Sequence, residues 1–384
     1  MRSFTRLFRM AVLGLAGASL AGCGLFTQKD ARFDPAPLTQ YSPSLTVAPV
    51  WTASLGSGGG YGFAPQVVGD TVYAAAPSGA VSALDLATGA VRWQVATPPL
   101  ASGVGSDGQM TAVVTQEGVV LALDAHGKQL WHAQADSAVN LPPVVGQGIV
   151  AVRTTDYRVQ AFDVATGKLK WSVQRPGPAL ALRTSIRMVM EPQLLIVGMP
   201  NGRLMAIDVA SGAVRWDSTV SSARRGASDL ERISDIVGAP QKIGSTLCAV
   251  EYQGHTTCFD TAQGGRALWS QSVASSTGMT TDGQNLYLAD ERSVVHALSV
   301  KDGHSLWQQS ALLNRQLSTP AVAGPAVALG DFEGYIHFLS RTNGALMARL
   351  QLGSDPILSS PVATPRGVLV QTSEGKLILV GIRG

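Results

Sequence analysis

The chain has 384 residues and carries 29 basic against 26 acidic side chains. Its first 22 residues hold Arg2, Arg6 and Arg9 and no acid, so the remainder balances at 26 of each, which excludes the basic footprint of a nucleic-acid-binding protein. Three cysteines exclude a disulfide-dense scaffold, and a charged fraction of only 14% fits strands covered on both faces.

The first element is an export signal. Three arginines precede a short apolar run, Met10 to Leu20, which is broken by glycine and too short to span a bilayer comfortably. It ends in Leu20-Ala21-Gly22-Cys23, which resembles the lipobox of bacterial lipoproteins. The resemblance implies cleavage after residue 22 and acylation of Cys23, and several acyl chains anchor a protein stably. Gly24 stands where an aspartate would imply retention in the inner membrane, so the resemblance implies outer-membrane sorting on the periplasmic side. Residues 23–45, with Asp34-Pro35-Ala36-Pro37, read as an extended tether.

From residue 46 onward the chain repeats. Ala83-Leu84-Asp85 leads through Thr88-Gly89 to Trp93, and Ala122-Leu123-Asp124 leads through Gly127 to Trp131. The pattern returns at Asp163, Gly167 and Trp171, at Asp208, Gly212 and Trp216, and at Asp260, Gly264 and Trp269. Worn copies follow at Ser299, Gly303 and Trp307 and at Ser340, Gly344 and Ala348. Trp51 has no preceding half, and Leu377-Ile378-Leu379-Val380 has no following half.

All seven tryptophans occupy this one position, with steps of 42, 38, 40, 45, 53 and 38 residues. Such a period is the length of one four-stranded propeller blade. Short Val- and Ala-rich runs bounded by Gly, Pro, Asp or Ser supply the other strands. In the motif, Asp accepts turn amides, Gly takes a positive φ, and Trp packs on the next blade. The expectation is an all-β, eight-bladed β-propeller of four-stranded antiparallel blades over residues 46–384, closed by the N-terminal strand around Trp51. Seven blades is the rival count.

Two features interrupt the repeat. Cys248 and Cys258 flank a turn at Gln253-Gly254, which places them opposite each other on a hairpin, with a disulfide left open. The longest tryptophan steps mark insertions at residues 175–185 and 217–238, and in a repeat array such length collects in loops of a binding face.

The Ala-x-Asp-x-x-Thr-Gly-x-x-x-Trp repeat resembles the tryptophan-docking motif of propellers related to quinoprotein dehydrogenases. Taken with the lipobox, the length and the two insertions, the whole chain resembles the BamB family of outer-membrane assembly factors. The resemblance implies a non-catalytic scaffold without cofactor or metal, binding the periplasmic POTRA domains of BamA alongside other assembly subunits and nascent β-barrel proteins. It also implies partner-binding residues: Leu180, Leu182 and Arg183 in the first insertion and Asp235 in the second. A second family aspartate is replaced here by Val237. Leu180 and Leu182 alternate as core strand residues would, and Arg183 and Asp235 could pair with each other.

The shared repeat raises a rival, a dehydrogenase using pyrroloquinoline quinone. That chemistry needs a calcium site of carboxylate and amide oxygens and an aspartate base. The related enzymes usually add adjacent cysteines, absent here, and the repeated aspartates are accounted for by turns. The six histidines, His126, His132, His255, His296, His304 and His337, have no metal-ligand spacing. A third reading is a scaffold for another envelope complex, since propellers host unrelated functions.

Overall fold

The computed structural model describes residues 31–56, 62–177, 186–220 and 234–383. The chain divides into two units, residues 1–35 and 36–384. Of the first, Ala31–Phe33 forms a single 3-10 turn.

The second unit consists of eight four-stranded antiparallel sheets. Blade 1 holds β2 (Gln66–Val68), β3 (Thr71–Ala75), β4 (Ala80–Asp85) and β5 (Val91–Ala96). The pattern continues through blade 7, β26 (Ala321–Ala323) to β29 (Leu346–Gln351). At most junctions neighbouring first strands touch around the ring, including those of blades 8 and 1. The second and third strands carry the apolar runs and are almost wholly buried, as in β3 and β4, because each sheet is covered by the blades on either side.

The motif holds blade to blade. The indole Nε1 of Trp51 donates to Leu86 O at 2.9 Å, and that of Trp131 donates to Val164 O at 2.8 Å. Trp93, Trp171, Trp269 and Trp307 each bond the same turn of the following blade. In that turn Asp85 Oδ1 accepts from the amides of Ala87 and Thr88 and from the Thr88 hydroxyl. These bonds and the ion pair with Arg92, the largest influence, hold the Asp85 carboxyl at about 2. Its role is therefore that of a turn acceptor.

The motif glycines do more than turn. Gly167, at φ +69°, lies so close to the Trp131 indole that an added Cβ would stand 2.6 Å from the ring. In blade 5 the residue against the ring of Trp216 is Gly265, not Gly264, which has open space around it. The 3-10 turn Thr261–Gln263 shifts the motif by one residue.

Closure follows the repeat. β1 (Thr46–Ser54) pairs with β32 (Lys376–Arg383) as the outer strand of blade 8. Every third-to-fourth strand pair carries a bulge just before the tryptophan position; in blade 1 Ala83 faces Trp93 while Leu84 faces Val91. The closing pair has the same irregularity between Pro49 and Trp51, so the N-terminal strand enters in the register of an ordinary fourth strand.

Blade 7 carries Ala348 in place of tryptophan because the blade it faces has no third-to-fourth turn: there β32 and β1 come from opposite ends of the sequence. Leu45, 6% exposed, shares a hydrophobic cluster with Ala348 instead, and the amides of Ser44 and Leu45 both donate to Met347 O.

Residues 36–45, expected to belong to the tether, pack instead within the second unit. Ala36 N bonds Leu313 O at 2.9 Å, Arg315 donates to Ala36 O, and the Arg349 guanidinium lies over the Tyr41 ring. Residues 36–45 are held along blade 7 by these contacts. Cys248 and Cys258 face each other across their hairpin and are joined by a disulfide, both fully buried.

Candidate functional site

Each blade's fourth strand runs back to the ring face that also carries the second-to-third strand turns. Both insertions open on this face. The first joins β13 (Leu169–Gln174) of blade 3 to β14 (Val189–Glu191) of blade 4; the second joins β17 (Val214–Thr219) of blade 4 to β18 (Ile236–Ile243) of blade 5. Leu180, Leu182 and Arg183 fall in residues 178–185, outside the described residues.

The loop bases are tied together. Ile186, at the end of the first, forms a parallel bridge with Gly238, just past the second. Arg187 N donates to Gly238 O at 3.0 Å. At its start the first loop leans on Tyr157, where a Cβ added to Gly177 would meet the ring at 2.1 Å. Only glycine lets the backbone approach that closely.

Asp235 lies beneath this surface and not in an exposed patch. It is 3% exposed, and its carbonyl accepts from Tyr252 N at 2.9 Å. Its charge acts on Arg153, which is 5% exposed at the end of β11 (Ile149–Arg153) in blade 3. Arg153 also donates through Nη1 to Gly198 O in blade 4. Burial pulls the Arg153 pKa down to about 10, opposed by the attraction of Asp235. Burial likewise raises that of Tyr157, with Asp235 adding to the effect. Residues of three consecutive blades thus meet at the bases of the two insertions. Val237 is fully buried in an apolar cluster of blades 5 and 6, so it packs where the family's second aspartate was expected.

Arg153 and Tyr157 were not singled out in the sequence. The available signal was a charged residue closing the apolar run Ile149-Val150-Ala151-Val152. Beside this region, a cleft of about 550 Å³ separates the edges of blades 5 and 6. It brings together His255 and His296, which are far apart in sequence. His296 Nε2 sits 3.1 Å from Asp290 Oδ2, and His255 Nε2 sits 3.2 Å from Ser272 Oγ. Among the described residues no three His, Cys, Asp or Glu side chains converge as a metal set.

The model of the family described as outer membrane protein assembly factor BamB matches residues 45–98 and 77–309. The chain is 50% identical over 376 residues to the protein of that name from Bordetella pertussis, covering 98% of this chain and 97% of the relative. It is 40% identical over 367 residues to that from Burkholderia pseudomallei, covering 95% and 96%. Among solved structures it resembles BamB from Moraxella catarrhalis, with a TM-score of 0.80 at 23% identity over 88% of this chain and all of that one. A europium-containing methanol dehydrogenase shares the fold alone, with a TM-score of 0.67 at 16% identity over 85% and 84%. With the motif, the closure and these full-length matches together, the chain belongs to the family of outer membrane protein assembly factor BamB.

Proposed function

We propose that this chain is a lipid-anchored scaffold of the machinery that inserts β-barrel proteins into the outer membrane, and that it binds the POTRA domains of BamA through the two long loops of blades 3 to 5. Family membership carries the coarser part: the chain has a role in outer-membrane protein assembly and is not an enzyme. The observation supporting the finer part is the joining of both loop bases by the Ile186–Gly238 bridge, which brings the longest insertions to one place.

On this reading Leu182 and Arg183 touch the partner, with Leu180 in support. The leucines supply apolar burial and the arginine sets orientation. Asp235 contributes from below, by holding the loops through Arg153. Other assembly subunits and nascent barrel proteins are the further partners of such a scaffold.

The test is affinity purification of the full-length chain from detergent-solubilised outer membrane. Wild type is expected to capture BamA. Replacing Leu182 and Arg183 together by Ala should weaken capture by more than ~30-fold, the equivalent of losing a central anchor worth ~2 kcal/mol. Its melting temperature should stay unchanged. Full capture by a normally folded double variant would rule this patch out, and capture of a cell-wall enzyme in place of BamA would favour a scaffold for another envelope complex.

The anchor is tested separately. Cys23→Ala is expected to leave the fold intact and release the chain as a soluble periplasmic form. Its retention on membranes that lack BamA would refute lipid anchoring at this residue.

A further inference from the structure

The first strands of the blades surround an axial channel, which holds two cavities of about 400 and 360 Å³. The larger is walled mainly by residues of blades 1 to 4, with Val362 of blade 8, and the smaller mainly by residues of blades 5 to 8. Arg187 lines both. Its Nη2 reaches across the channel to Ala64 O at 3.2 Å, a partner 123 residues away in sequence.

Among the described residues Arg187 is the one cation that lines either cavity. No carboxylate among the described residues lines either cavity, and burial lowers the Arg187 pKa. A guanidinium stays protonated, so the charge sits in a confined space without a counter-charge from the described residues. None of its nitrogens is both buried and unpaired, so the donors not used on Ala64 open onto cavity space.

Neighbouring polar groups are already engaged with the protein. Thr319 donates to Thr277 O, Ser360 donates to Thr319, Thr281 donates to Asn285 O, and Gln66 exchanges two bonds with the Ser106 backbone. The larger cavity is otherwise apolar, with Val67, Val144, Met190 and Val362 on its wall.

We propose that the axial channel is a binding site for a compact organic carboxylate, its carboxylate on the Arg187 guanidinium and its apolar body against the wall formed by blades 1 to 4. The planar fork of arginine matches a carboxylate through two parallel N–H bonds. The cavity volumes fall at the lower end of the range for small-molecule sites.

Benzoate is the probe, titrated calorimetrically into the full-length chain in detergent. Benzamide keeps the ring without the charge, and inorganic phosphate keeps charge without the ring. Benzoate is expected to bind saturably with a Kd of ~1 mM or tighter, and both controls about tenfold or more weaker. Arg187→Met should weaken benzoate by about tenfold or more, and Arg187→Lys, which keeps the charge but loses the fork, by less. Val362→Glu, on the wall of both cavities, supplies a competing carboxylate and should also weaken benzoate by about tenfold or more, which covers the case that Arg187→Met does not fold. The proposal is overturned if benzoate fails to saturate by ~10 mM, if phosphate or benzamide binds equally well, or if the folded variants bind like wild type.

Discussion

A chain lacking residues 1–55 is expected to lose most of the stability that a chain lacking residues 1–35 retains. The shorter deletion stops where the packed unit begins and should melt like the full chain. Deletion to residue 44 removes the Ala36 hydrogen bonds and the Tyr41–Arg349 contact, a modest loss. Deletion to residue 55 removes all of β1 and leaves one edge of β32 without its ladder. It also empties the place of the Trp51 indole, which is 9% exposed, is bonded to Leu86 O and stands against Gly89. Loss of a buried tryptophan alone costs ~3–5 kcal/mol, and the strand adds to that. Thermal melting of the three chains checks the series. Equal melting temperatures for the 35- and 55-residue deletions would mean that the ring does not depend on its N-terminal strand.

The fold could be read from the sequence because a single side chain marks seven of the eight blades. A tryptophan at a spacing near 40 residues, with an aspartate and a glycine before it, leaves few architectures open. What could not be read was what the glycines face. Their positive φ suggests only a turn, yet Gly167 is confined as much by the indole of the preceding blade. The bulge before each tryptophan is equally invisible in a strand pattern, since one extra residue in a six-residue run resembles ordinary variation. Ala348 read as a worn copy of the motif; with blade 8 described, its small side chain follows from the absence of a turn to dock against.

The site was less legible, for a physical reason. Loop length announced where the insertions lie, but burial depends on neighbours distant in sequence. Asp235 sits in a polar stretch and reads as exposed, while it is buried near an arginine of blade 3. Arg187 looks like one more loop cation until the ring closes around it.

Replacing Asp235 by Ala is expected to destabilise the protein by about 3 kcal/mol, because it strips a counter-charge from the buried Arg153. That guanidinium already has an unpaired buried Nε and spends Nη1 on Gly198 O, so losing the Asp235 charge adds to an existing deficit. Arg153→Met should cost less, since it removes the charge and keeps an apolar chain of similar length. Combining Arg153→Met with Asp235→Ala should recover most of the stability, and the double-mutant cycle by denaturant unfolding should show coupling above ~1 kcal/mol. BamA capture separates the two roles Asp235 could have. If it positions the loops, capture falls with Asp235→Ala and returns in the double variant, because the loop bases settle again once no charge is left unpaired. If Asp235→Ala melts like wild type and still loses capture, the carboxylate meets the partner directly and the positioning role is refuted.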